Sequence, residues 1–357
     1  MYLACKKDRD VAGRFHMSTR LLKRSARRMA CGLVAGLAGC LMTGSVLAAD
    51  KLEMRYSSAA PEQTPWGKFL LETIDIVEQA DPSLDLVPYL SSQLGDEQTV
   101  IRQVVRGRID ISGQSGVSTT LIVPEFALLG APYLFRDAKQ TDCVFDNHVR
   151  PIFEQKMQDS GLVPLSWVEV GRTMISSQIP LRNAADIQGV KIRVPPSRAT
   201  ALYFEELGAA GVPLGVLDMV PALKTGQVKG IMAPTVYAIA IGLPKLAPHT
   251  LVFQATHDIG TVTVSRRIWN TLNDSQKAAL RLIDSRVDEL RKSIRGTEKF
   301  LLGKVAESGA PVVYPEGADM ESWKAAAPRA HERLVEEIGG DAPQIWSQIQ
   351  AAIRECS

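Results

Sequence analysis

A chain of 357 residues, 45% of them hydrophobic, can bury a sizeable core and is too long for one comfortable core, so two lobes are expected. The formal net charge of +2 hides an asymmetry: nine of the 41 Lys and Arg, and two of the 39 Asp and Glu, fall in residues 1 to 48, leaving 32 against 37, a net of −5. A mildly acidic body argues against a nucleic-acid partner or an anionic membrane surface.

The basic head explains itself. RLLKRSARRMACGLVAGLAGCLMTGSVLAAD passes from Arg and Lys through an apolar run, Met29 to Leu41, to the small-residue site Val46-Leu47-Ala48 before Asp50. That order is a secretory signal peptide over residues 1 to 48, cleaved after Ala48 or Ala49, with initiation at Met17 a further option. It places the mature chain in the periplasm. The uncharged run from Met29 to Ala49 is long enough to anchor in a membrane, though its glycines and hydroxyls weaken that reading. Leu37-Ala38-Gly39-Cys40 resembles a bacterial lipobox, so lipid anchoring at Cys40 is the third alternative.

Beyond the head the rhythm is strand, helix, glycine, strand. LEMRYSS (52 to 58) reads as a strand, and Trp66, Phe69, Leu70, Ile74 and Val77 follow at helical spacing. LDLVPYL (84 to 90) is strand-like, DEQTVIRQVVRG (96 to 107) is an amphipathic helix stopped by Gly107, and IDIS is the next strand. KMQDSGLVPL, YFEELGAAGVPLG and VAESGAPVVYP each run from a helix through a glycine C-cap into an apolar strand. Such alternation predicts α/β lobes with largely parallel sheets. From the cap Asn273, with Gln276 completing a capping box, apolar positions recur at Leu280, Ile283, Val287, Leu290, Ile294, Leu301 and Val305. About 35 helical residues at roughly 1.5 Å each give on the order of 50 Å, more than one lobe, so this helix should run along both.

Catalytic chemistry finds no footing. GQSGV (113 to 117) lacks the last glycine of a nucleophile elbow. The five histidines show no HxxxH or HExxH spacing and have no cysteine pair beside them, so no metal is expected. Neither a GxxxxGK[ST] loop nor a strand-borne GxGxxG occurs after the head, so no cofactor is expected. Glu205 and Glu206 read as surface carboxylates of a helix. Of five cysteines only Cys143 and Cys356 lie beyond the head; two thiols so far apart define no framework, although an exported setting permits a bond.

Five separated stretches carry a resemblance: SSQLGDEQTVIRQVVRGRIDIS, PEFALLGAPYLF, IPLRNAADIQGVKIRVPPS, LGAAGVPLGVLDMVPALKTGQVKG and VSRRIWNTLNDSQKAAL. In this order, over residues 52 to 310, the chain resembles the DctP-type substrate-binding proteins of tripartite ATP-independent periplasmic (TRAP) transporters. The resemblance implies an α/β, two-lobed periplasmic binding protein of type II-like architecture, with hinge strands and a long helix spanning both lobes. Lobe I would comprise residues 49–169 and 258–295, and lobe II residues 170–257 and 296–357. It implies no enzyme. The protein would be a monomer that captures a small organic acid between its lobes and delivers it to the TRAP membrane permease. A periplasmic sensor presenting bound solute to a membrane receptor is the alternative.

The resemblance also assigns residues. Arg193, inside the strand-like GVKIRVPPS, matches an arginine that binds the ligand carboxylate, for which its planar fork is suited; bridging to Asp186 is the competing use. Arg172 in VGRTMISS matches a second arginine of some members. Ala233 stands where many members place an asparagine, Pro196 where sugar-acid binders offer another, and Ser115, beside Gln114, where those binders carry an acid. Each change removes polar capacity, which disfavours a sialic-acid-like ligand and favours a smaller or more apolar acid. Trp167 and Tyr237 are candidate walls, Met232 a candidate apolar contact, and Ser57 and Gln114 candidate contributions from strand ends.

Overall fold

The computed structural model describes residues 51–357. The predicted signal peptide and the lipobox at Cys40 lie outside the described residues. Within them, no helix is long and apolar enough to cross a membrane.

Strands β1 (Leu52–Ser58), β2 (Leu84–Tyr89) and β3 (Ile111–Gln114) are parallel, in the order β2-β1-β3, connected through the helices Pro65–Ala80 and Glu97–Val105. Both helices begin where the sequence provides an acceptor: Thr64 and Asp96 take the backbone N–H of Gly67 and Gln98. The alternating inward residues Met54, Tyr56, Leu84 and Leu86 meet Phe69, Leu70, Ile74 and Val77 from the first helix in one buried cluster.

A second parallel set is built from β5 (Lys191–Val194), β6 (Ala210–Pro213) and β7 (Gly230–Pro234), in the order β7-β5-β6. Two long strands join the sets. Residues 162–172 of β4 (Leu162–Ser177) pair antiparallel with β9 (His257–Ser265), which itself pairs with β3. The last residues of β4, 173–177, pair instead with β7 and β8 (His249–Leu251). At the changeover the register shifts between Glu169 and Gly171, and Gly171 has φ +115°. A bulge needing left-handed backbone explains the glycine. The three predicted glycine C-caps sit at Gly161, Gly208 and Gly309, all with positive φ, each followed by a strand, the last of them β10 (Val312–Val313).

One expectation is corrected and one open question is answered. The capping box of Asn273 and Gln276 forms, but the helix it opens is Asp274–Arg281, followed by a 3₁₀ segment, Leu282–Arg286, before a second helix, Val287–Glu307. The apolar stripe continues through the break because Ile283 and Val287 stay buried, which is why periodicity reads as one helix. The 21-residue second helix spans about 30 Å and packs on β4, on Pro65–Ala80 and on the helix Thr235–Ala240, so it reaches both strand sets. Cys143 and Cys356 are joined in a disulfide across 213 residues. It fastens the C-terminal helix Ala342–Glu355 to the helix Ala138–Val144, a proximity that sequence spacing does not reveal.

Candidate functional site

A cavity of about 100 Å³ lies where the C-terminal ends of β1, β3 and β5 and the end of β7 converge. Strand ends are where parallel sheets present ligand groups. That is room for several waters, the space of a small metabolite. Trp66, Val117, Val170, Val216, Met219, Pro195, Pro196, Val236 and Ile294 supply apolar wall.

Among the described residues, Arg193 is its one cationic lining residue. It is 3% exposed, sits on β5 between the buried Ile192 and Val194, and is held from two sides. Its Nε donates to the carbonyl of Leu214 at 2.8 Å and Nη1 to the carbonyl of Met232 at 2.8 Å. No described carboxylate lies within 4.0 Å of the guanidinium. Asp186, the competing partner, instead accepts the backbone N–H of Arg182 and of Asn183 at the start of a 3₁₀ turn. Burial lowers the Arg193 pKa to about 10 against the opposing pull of Tyr237, Asp96, Glu97 and Asp218, so it stays charged at neutral pH. A buried cation bound only to neutral carbonyls is a receptor for an anion.

Two carboxylates share the wall. Glu97 opens the helix after β2 and accepts both the backbone N–H of Ser115 at 2.9 Å and its hydroxyl at 2.6 Å. Burial raises its pKa in spite of those bonds. Asp258, near the start of β9, is pushed up to about 7 by burial and then by the nearby Glu97 charge, with only the Gly116 N–H opposing. Gly116 is there because a Cβ would fall 2.3 Å from the Ile259 carbonyl. Tyr237 faces the same space, its phenol pushed up to about 12 by burial and by Glu97.

Of the residues singled out in the sequence, Arg193, Gln114, Ser115, Ala233 and Tyr237 line this cavity. The others are elsewhere. Arg172 does not line it: Nη1 donates to Gln254 at 2.6 Å, and the side chain borders a separate cavity with Tyr133, His257 and Lys324. Trp167 is core, stacked on Phe126 at 5.6 Å with its indole N–H on Glu154. Met232 is fully buried and offers the site only its carbonyl. Ser57 lies inside the sheet, paired with Ser112, and its neighbour Ser58 reaches the cavity. Sequence reasoning missed Trp66, Glu97 and Asp258. Trp66 read as helix core and Glu97 as part of the amphipathic helix 96–107; Asp258 had a signal, as the single charged residue between 250 and 265.

Comparison with known proteins supplies a frame for this geometry. The family model described as "bacterial extracellular solute-binding protein, family 7" matches residues 56–338. The sialic acid-binding periplasmic protein SiaP of Vibrio cholerae is 25% identical over 306 residues, 83% of this chain and 91% of that one. The C4-dicarboxylate-binding periplasmic protein DctP of Rhodobacter capsulatus is 20% identical, covering 88% of this chain and 96% of its own. Among solved structures, the sugar acid binding protein DctPAm of Advenella mimigardefordensis, in complex with galactonate, superposes with a TM-score of 0.82 at 20% identity, covering 86% of this chain and 99% of that one.

Proposed function

The chain belongs to the bacterial extracellular solute-binding protein family 7, whose members serve transporters and are not enzymes, and from that premise we propose that it captures a small organic acid in the cavity and hands it to a TRAP permease. The observation that carries this reading is Arg193: buried, fixed by two carbonyls and without a carboxylate partner. Ser58, Gln114 and Ser115 would complete the polar contacts, and Ala233, Tyr237 and Trp66 the walls. The relatives support an acid ligand, since one is named for sialic acid, another for C4-dicarboxylates, and one is solved with galactonate.

The two lobes are taken as residues 49–169 with 258–295, and 170–257 with 296–357. The exchange of partners along β4 supports a hinge at its midpoint. The C-terminal helix is the exception, since its disulfide ties it to residue 143 of the first lobe. Closure around a ligand must draw on contacts made only in the closed state, and a cavity wall that takes Arg193 from one strand set and Glu97 from the other suits such a device. We further take the protein to work as a monomer released by cleavage of its signal peptide, without nucleic-acid contacts.

Calorimetric titration tests the assignment, using the acid identified by mass in protein purified from the periplasm. Arg193→Ala should cost about 2–5 kcal/mol, because one member of a buried charge pair is left uncompensated. Arg193→Lys should recover part of that, keeping charge but losing the fork. A folded Arg193→Ala that binds as wild type does would remove Arg193 from the site.

A further inference from the structure

We propose that the solute carries, besides the carboxylate held by Arg193, an ammonium group with N–H donors that pairs with Asp258, so that the cleft selects an amino-acid-like zwitterion. This rests on the carboxylate reading above and narrows it.

The charge inventory of the wall points there. Against one cation, Arg193, stand two carboxylates, Glu97 and Asp258, and two more, Asp96 and Asp218, act on Arg193 from nearby. A simple carboxylate would neutralise Arg193 and leave the acids without a partner in a small, largely apolar space, where they either repel one another or must take up protons. A zwitterion neutralises both ends. The acids also differ in what they have left to offer. Both oxygens of Glu97 are engaged by Ser115, whereas among the described residues the one donor to Asp258 is the Gly116 N–H. Asp258 therefore has acceptor capacity that no described residue takes up.

Gln114 gives an independent indication. It is 2% exposed and in the same wall; its Nε2 donates to Thr119, while its Oε1 receives no hydrogen bond. A buried acceptor without a donor costs free energy until something supplies one. A donor on the ligand would satisfy this oxygen, and an ammonium group brings several N–H donors at once, enough for Gln114 and Asp258 together. Trp66 and Tyr237 add ring faces, which tolerate a cation.

Matched acids decide the matter on the mature protein, freed of endogenous ligand by unfolding and refolding. Two series are titrated calorimetrically at pH 7.5 (a pH chosen to keep ammonium and carboxylate charged): L-valine, 2-hydroxyisovalerate and isovalerate, with the nitrogen beside the carboxylate, and 5-aminopentanoate, 5-hydroxypentanoate and pentanoate, with it remote. In at least one series the amine should bind about tenfold or more tighter than both counterparts, a gap of about 1.4 kcal/mol. Asp258→Asn should shrink that gap to about threefold or less and leave the plain acids bound no more weakly. Plain acids binding as well as amines in both series, or no binding in either, would overturn the zwitterion. Plain acids that bind and are lost in Arg193→Ala would leave the carboxylate reading standing alone; amines that bind Arg193→Ala unimpaired would remove that reading instead.

Discussion

At the scale of single residues, the site is defined by ionisable groups held away from their ordinary environment. Asp258 in the cavity wall is pushed up to about 7 by burial, and so is Glu298, which lies outside the cavity on the helix Val287–Glu307 and accepts the Arg172 N–H. Each binds its proton more tightly in the folded than in the unfolded chain, so its contribution to stability is present below about pH 4 and is lost as pH rises through 7. The ligand-free protein should melt at a lower temperature at pH 8 than at pH 5, and Asp258→Asn should raise the melting temperature more at pH 8 than at pH 5. An equal gain at both values would show that Asp258 is not the titrating group. Arg193 was legible because a cation in the middle of an apolar strand demands a reason. Arg172 is placed differently: its guanidinium donates to Gln254, a neutral side chain 82 residues away in sequence, and lies outside the wall of this cavity. Asp258 was the reverse case, an isolated acid whose place appears only when β9 brings it into the same cavity wall as Glu97.

At the scale of elements, turns and strand ends decide whether the cleft can close. Gly215 follows β6, and a Cβ there would fall 2.1 Å from Asp96 Oδ2, whose Oδ1 caps the helix Glu97–Val105. Asp96 cannot retreat without loosening that cap, worth about 1 kcal/mol. Gly215→Val should therefore lower stability by about 1 kcal/mol or more, read as a lower melting temperature of the ligand-free protein. An unchanged melting temperature would show that the two segments separate freely. Helix starts, glycine caps and strands were readable in the sequence because each has a local cause, such as Asp96, Asn273 or Gly208. The 3₁₀ break at 282–286 was not, since the apolar residues keep their spacing through it. The disulfide was equally hidden, because it depends on where the C-terminal helix docks. Cys143→Ser should lower stability by about 2–5 kcal/mol and leave ligand affinity within about twofold, since neither cysteine lines the cavity. A large loss of affinity in the folded variant would mean that the C-terminal helix shapes the site from a distance.

At the scale of the molecule, the architecture followed from the alternation of strands and helices, and the two strand sets joined by β4 and β9 make that alternation a hinge design. The helix Val287–Glu307 lies against β4 and places Ile294 in the cavity wall, so it is a brace that both sets share. The central claim is that a carboxylate on Arg193 closes the two lobes around it. Small-angle scattering of the wild type and of Arg193→Ala, each without ligand and with the co-purified acid at saturation, tests this most directly. The wild type should lose radius of gyration on saturation. Arg193→Ala, at concentrations that saturate its weaker site, should compact less or not at all. An unchanged radius in the saturated wild type, or full compaction of Arg193→Ala at the wild-type ligand concentration, would contradict it.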